Sequence, residues 1–294
     1  MIKSAWTWIQ KKAFWGILRH WLSDQKYAEW RYRIEQQRAL DLEDPERFTE
    51  KIQWIKLNER TDLRKRVADR LKARDYVSEK AGSEHLVPLI NHFDTLTHDD
   101  WQSLPEQFVL KANHGCGMVH IVREKKSESF ETVKEKTDSW QNTDYFFVGR
   151  EWVYKNLPRP ILAEALLTDD EGNIPIDYKI FCFHGEVKII QIDFDRFGDQ
   201  KRNLYDRDFN RLDGQLLYPN YEGTVDKPSQ MDNAILLAEK LSEDFSFLRV
   251  DLYLTGDHIY VGELTNYPGN GFINFEPESM ERWAGSLLTL QQSN

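Results

Sequence analysis

The chain has 294 residues, 40% of them hydrophobic and 13% aromatic, with a formal charge of −10 from 49 acidic and 39 basic side chains. That length and apolar content predict two or three lobes, and the negative balance excludes the broad positive field on which general nucleic-acid binding depends. The two cysteines, Cys116 and Cys182, have no second pair or histidine cluster at ligand spacing, which excludes a zinc site or disulfide framework and suits a reducing compartment.

The first 22 residues, MIKSAWTWIQKKAFWGILRHWL, carry Lys3, Lys11, Lys12 and Arg19 and no acid. Ile2, Ala5, Trp6, Ile9, Ala13, Ile17 and Trp21 recur at helical spacing, and tryptophans flanked by cations compose a helix that lies in a membrane interface. Docking on the protein's own core is the other reading, because Trp6, Trp8, Trp15 and Trp21 do not share one narrow stripe. No run approaches the ~20 apolar residues that span a bilayer, and no small-residue cleavage site follows an apolar run. The expectation is a cytoplasmic protein, with residues 1–24 as its route to the inner face of the membrane.

Residues 25–82 read as charge-dense helices, one starting after Pro45 and Glu46 at FTEKIQWIKLN. From Trp101 the pattern turns to short strands: QFVLKA, VHIVRE, ILAEALL, DYKIFCF, EVKIIQIDFD, FLRVDLYL and HIYVGEL. KPSQMDNAILLAEKLSEDF interrupts them as a helix, capped by Ser229, with an apolar face through Met231, Ile235, Leu236 and Leu241. The organisation expected is a tryptophan-rich helix over 1–24, a helical lobe over 25–100, a central subdomain over 101–165 and a C-terminal subdomain over 166–294, an α+β fold.

Three stretches carry chemistry. In FVLKANHGCGMVHIV, Gly115 and Gly117 lie between two strands, where backbone N–H groups approach phosphate oxygens closely and Lys111 adds a point charge; a plain turn is the alternative. Cys116 reads as a small filler, since no motif supplies it with a base. The run DYFFVGREWVY reads as core packing or as the wall of an acceptor groove. In DYKIFCFHGEVKIIQIDFDR, a loop of His184 to Glu186 puts Asp177, Lys179, Gln191 and Asp193 on one face, and a lysine amid acids followed by Arg196 and Arg202 suits a phosphate or carboxylate substrate.

The third stretch, FLRVDLYLTGDHIYVGELT, turns at Gly256-Asp257. A two-residue loop pairs Asp251 with Gly262, whereas a three-residue loop from Gly256 to His258 sets Asp251 across from Glu263, with Arg249 and Thr265 on the same face. Facing carboxylates repel unless a cation lies between them, so the second register predicts a site for Mg²⁺, which binds through one or two carboxylates plus phosphates.

Taken together, FTEKIQWIKLN, LPEQFVLKANHG, REWVYKN, ILAEALL, DYKIFCFHGEVKIIQIDFDR, RVDLY and GELTNYPGNG resemble the TupA-like branch of the ATP-grasp superfamily over roughly residues 45–290. The resemblance implies a helical N-terminal lobe followed by two α+β subdomains that clasp a nucleotide. It implies ATP and Mg²⁺ as cofactors and a ligase that joins a carboxylate to an amine through an acyl phosphate. The partners implied are an amino-acid or amino-sugar donor and a uronate-containing glycan acceptor from surface polysaccharide synthesis. By position, Lys111 and Arg70 fall to the nucleotide, Gly115 and Gly117 with His114 to the phosphate lid, Glu164 to the hinge beside adenine, and Lys179 to both nucleotide and catalysis. Arg249 and Arg196 are the further catalytic candidates, and Asp251, Glu263 and Thr265 the metal ligands. Two positions depart from the family pattern: Thr265 stands where an asparagine is usual, with Asn266 beside it on the opposite strand face, and Asp69-Arg70 stands where Asp-Lys is usual. A glycosyltransferase of polysaccharide assembly and a membrane-docked, non-catalytic nucleotide- or glycan-binding module are the rival readings.

Overall fold

A computed structural model describes residues 21–169, 171–195 and 198–291. Residues 1–20, which hold almost all of the tryptophan-rich stretch, lie outside the described residues, so its two readings stay where the sequence left them. Trp21 is fully described and exposed.

Four helices open the described chain: α1 (Asp24–Gln36), α2 (Phe48–Asn58), α3 (Asp62–Ala68) and α4 (Arg70–Lys80). Ser23, Thr61 and Asp69 cap α1, α3 and α4 through their side-chain oxygens. The Glu50 carboxylate accepts the backbone N–H groups of Glu46 and Arg47 at the start of α2. The stretch expected to be helical to residue 100 then yields a strand, β1 (Leu89–Phe93), followed by α5 (His98–Ser103). Ile90, Asn91 and His92 are exposed, so β1 lacks the apolar alternation by which a strand is recognised.

β1 belongs to a four-stranded antiparallel sheet, order β1-β4-β2-β3, with β2 (Phe108–Ala112), β3 (Val119–Val122) and β4 (Ile161–Glu164). Helices α6 (Phe130–Asn142) and α7 (Phe146–Gly149) lie between β3 and β4. Phe108, Leu110 and Ala112 of β2 point into a core with Trp101, Val133 and Trp140. Val109 and Lys111 therefore face the other way.

The second sheet has five strands, order β10-β9-β5-β6-β7, all antiparallel: β5 (Asp177–Phe183), β6 (Glu186–Phe194), β7 (Lys201–Tyr205), β9 (Phe247–Thr255) and β10 (His258–Thr265). A two-stranded ribbon joins β8 (Gln215–Leu216) to β11 (Phe275–Glu276), and helices α8 (Met231–Ser242) and α9 (Glu278–Ser286) complete the body. Met231, Ala234, Ile235, Ala238 and Leu241 of α8 recur at helical spacing and pack on Ile180, Ile190, Val250 and Leu252. Burying each large side chain contributes about 1.5–3 kcal/mol. Two details of α8 depart from expectation: its N-cap is Gln230, whose side chain makes no capping bond, and Leu236 is exposed.

The opposite face of this sheet is divided. At one end Phe181, Phe183 and Phe247 meet Phe48 of α2 and Phe275, with Phe48 ring centroids 5.3–6.3 Å from the others. At the other end Asp177, Lys179, Arg249, Asp251 and Glu263 look toward the first sheet. Among the described residues no helix is long and apolar enough to cross a membrane.

Candidate active site

Both hairpins of the five-stranded sheet reach the expected register by a different route. The turn before β6 has only two residues, His184 and Gly185, at φ +52° and +79°, and Phe183 pairs with Glu186. A bulge at Lys188 then brings Lys179 opposite Gln191. The β9–β10 turn is likewise two residues, with His258 paired to Thr255 rather than set in a three-residue loop. The bulge at Gly262 shifts the pairing by one, so Glu263 faces Asp251 and Thr265 faces Arg249. A Cβ on Gly262 would come within 2.7 Å of the Tyr253 ring, so the bulge needs a glycine there. One row across the sheet now reads Glu263, Asp251, Lys179, Gln191.

Glu263, Asp251 and Lys179, with Asp177 and Arg249, form the floor of a cleft of about 460 Å³ between the two sheets. Arg249 grips Asp251 with two parallel bonds, Nε to Oδ1 at 2.6 Å and Nη2 to Oδ2 at 2.7 Å, and its Nη2 also donates to Thr265 Oγ1 at 3.1 Å. Lys179 Nζ donates to Asp251 Oδ2 at 3.0 Å and to Asp177. Burial opposes every one of these charges. Arg249 and Lys179 nevertheless hold Asp251 below the usual carboxylate range, and Asp251 and Asp177 hold the Lys179 ammonium above its usual value.

The roof is the β2–β3 connection. Lys111 reaches Glu164 at 2.7 Å, and Arg74 of α4 binds the same carboxylate at 3.2 Å. Arg70 donates from Nε to Ala112 O at 2.9 Å and from Nη2 to Gly115 O at 3.0 Å, with Glu263 at 3.6 Å. Asn113 ties the same loop to the start of α4 by accepting the Leu71 N–H at 3.0 Å. Gly117, at φ +75° with open space beside it, and Cys116 both line the cleft. Cys116 is exposed, not a filler, and Glu263's charge pushes its thiol up to about 11, away from nucleophile chemistry. Val87, Val109, Ile121, Leu166 and Ile174 make the far wall apolar, so the cleft has one oily and one charged end.

Arg70, Lys111, Gly117, Glu164, Lys179, Arg249, Asp251 and Glu263 thus share one cleft, with Gly115 on a smaller cavity adjoining it. Two candidates do not join them. His114 is buried behind the loop, its Nε2 directed at the Trp140 and Thr143 carbonyls at the end of α6, and burial lowers its pKa. Thr265 is occupied by Arg249, and Arg196 lies outside the described residues. Asn266 gives Thr265 no help, because it is bound to Arg64 of α3 on the far side of β10. Beside Glu164, the Ala165 N–H is already given to Pro88 O at 2.9 Å. Arg74 and Tyr154, which line the smaller cavity, were not singled out by sequence.

Among the described residues no three His, Cys, Asp or Glu side chains form a ready cage for a metal. The donor set is two facing carboxylates. Asp251 keeps lone pairs beyond those given to Arg249 and Lys179, and among the described residues the Glu263 carboxylate has only the Arg70 guanidinium at 3.6 Å, which fits the habit of Mg²⁺ of taking one or two carboxylates and completing its shell with water and phosphate.

The family described as TupA-like ATPgrasp matches residues 50–289. No curated protein matches the chain. Among solved structures, D-alanine–D-alanine ligase from Bacillus anthracis is 16% identical with a TM-score of 0.37, over 74% of this chain and 59% of that one. The L-amino acid ligase from Bacillus licheniformis is also 16% identical, TM-score 0.46, over 76% and 49%. D-Alanine–D-alanine ligase from Helicobacter pylori is 12% identical, TM-score 0.41, over 78% and 60%. The chain therefore spans half to three fifths of the length of these structures.

Proposed function

Since the chain belongs to the TupA-like ATP-grasp family, we propose that it is an ATP- and Mg²⁺-dependent ligase that joins a carboxylate to an amine through an acyl phosphate. The observation that carries this reading is the pairing of Asp251 with Glu263 on the floor of a cleft that is apolar at one end and charged at the other. A purine suits the wall of Val87, Val109, Ile121 and Ile174, and a triphosphate suits Lys111, Lys179, Arg70 and Arg249.

In this reading Asp251 and Glu263 hold the metal, which when bound would offset charge on the phosphates. Lys179, kept protonated by Asp177 and Asp251, stands by the transferred phosphoryl group. Arg249 is fixed by its two-point grip on Asp251 and so is preorganised for the oxyanion that develops when the amine attacks. Gly115 and Gly117 offer backbone N–H groups to phosphate oxygens, and Lys111 with Arg70 adds charge at the roof. Glu164 orients Lys111 and leads into the hinge. Thr265 acts through Arg249 rather than as a free donor. No protein nucleophile is required. The substrates proposed are an amino acid or amino sugar and a uronate carboxylate of a surface polysaccharide or its precursor, with work at the inner face of the membrane through residues 1–24.

The test is to incubate the purified chain with ATP, Mg²⁺ and a panel of amino acids and uronates while following ADP and phosphate. Release of both, dependent on both substrates and lost in Asp251→Asn, is expected. Full turnover in that variant, or consumption of a sugar nucleotide without ADP, sinks the proposal.

A further inference from the structure

We propose that Arg74 is a positioning residue of the nucleotide site: it is the resident counter-ion of Glu164, and by holding that carboxylate it releases Lys111 to move onto the phosphates. The inference rests on the nucleotide-binding part of the ligase reading above. Lys111 and Glu164 lie on neighbouring strands and on one face of the first sheet, since Val109 pairs with Glu164 and Lys111 with Leu162. Glu164 is only 7% exposed, and among the described residues two cations pair with it, Lys111 at 2.7 Å and Arg74 at 3.2 Å.

The two contacts differ in kind. Arg74 Nη1 donates a hydrogen bond to Glu164 Oε1. Oε2, the atom beside Lys111, is buried and has no hydrogen-bond partner among the described residues. The ammonium is therefore held there by charge without an aligned bond, whereas the guanidinium is held by both.

Their places differ as well. Lys111 lines both the cleft and the small cavity behind it, whereas Arg74 lines the small cavity alone. Lys111 can thus face a nucleotide, and Arg74 acts on one only through Glu164. Helix α4 keeps Arg74 in place: Tyr76 and Val77 are buried in the core behind the five-stranded sheet. Arg70, one turn earlier on the same side of α4, is tied to Ala112 O and Gly115 O. Drawing Lys111 away from so buried a carboxylate would strand an uncompensated charge unless a second cation stayed behind. Arg74 is that cation, and a guanidinium stays charged throughout. Without it, Lys111 would be the sole counter-ion of Glu164 and would be kept from the phosphates.

The experiment uses the full chain and calorimetric titration with Mg–ADP and with adenosine, because the ratio of the two affinities reads the phosphate contacts alone. Arg74→Gln should lower that ratio by roughly tenfold or more, the scale of one hydrogen bond to a charged group. Arg74→Lys should recover part of the loss, and Arg74→Gln/Glu164→Gln should return the ratio to that of Glu164→Gln. Lys111→Ala/Arg74→Gln should be no worse than Lys111→Ala, since both changes remove the same contact. An unchanged ratio in Arg74→Gln, including a loss shared equally by adenosine as a purely structural role predicts, overturns the proposal and leaves the ligase reading standing. So does a loss that persists when Glu164→Gln is added; this comparison decides the matter even where Arg74→Gln alone does not fold, because the double variant has no buried charge to strand. A wild type that binds no Mg–ADP overturns the proposal and the ligase reading together.

Discussion

The two ends of one sheet face treat burial in opposite ways. At the aromatic end, Phe48, Phe181, Phe183, Phe247 and Phe275 exclude water among themselves, and every ring adds to stability. At the charged end, 10 Å or so along the same strands by the ~3.4 Å rise per residue, Asp177, Lys179 and Asp251 are buried beside the half-buried Arg249, at a cost that their mutual pairing only offsets. A sheet can carry such a cluster because its other end, and the α8 face behind it, hold the strands in place. Stability and chemistry are separated along the strand, not between domains.

That separation can be broken from either side. The largest effect expected is Phe48→Ala, which empties the centre of the ring cluster and should lower unfolding free energy by about 3–5 kcal/mol in denaturant titration, while KM for ATP of the folded fraction stays unchanged. Glu263→Gln should do the reverse: turnover falls by about 10²–10³, with little change in denaturation midpoint because among the described residues its carboxylate holds only a long ion pair, 3.6 Å to Arg70. Equal damage to stability and turnover in both variants would show that the two ends act as one unit.

Smaller substitutions sharpen the boundary. Gly262→Ala forces a methyl into the Tyr253 ring and should cost about 1–3 kcal/mol together with activity, since it disturbs the bulge that aligns Glu263. Removing the obstacle in Gly262→Ala/Tyr253→Ala should restore part of the lost stability, and a double variant no better than the single one would exclude the clash as the cause. The smallest effect belongs to Gly117→Ala, where nothing crowds a Cβ and the left-handed backbone alone costs about 1 kcal/mol. Its expected signature is a few-fold rise in KM for ATP with kcat retained.

Much of this was legible in the sequence because it rests on alternation. A period of two placed Lys179 beside the acids, Arg249 with Asp251 and Glu263 with Thr265, and left the loop to decide whether the two pairs share a face. The lysine-then-glycine order placed Lys111 before a loop between strands. Bulges were not legible, since one extra residue leaves the alternation on each side intact and only shifts its phase. The three-residue loops were therefore wrong in place and right in sum. β1 was missed because Ile90, Asn91 and His92 do not alternate, and β7 because Lys201, Arg202 and Asn203 give no apolar run. The turning away of His114 was hidden for another reason: its partners, the Trp140 and Thr143 carbonyls, are backbone groups and leave no trace in side-chain pattern.

The bulge at Gly262 insulates the site from the tip of its own hairpin. Pairing near the tip is set by Gly256 and Asp257, whereas pairing at the cleft is set by the extra residue and by the grip of Arg249 on Asp251. A turn lengthened by one residue with the bulge removed would give the same opposition of Asp251 and Glu263. The outer half of this ribbon is thus a place where insertions, tags or sequence drift can accumulate, while the inner half stays locked in phase.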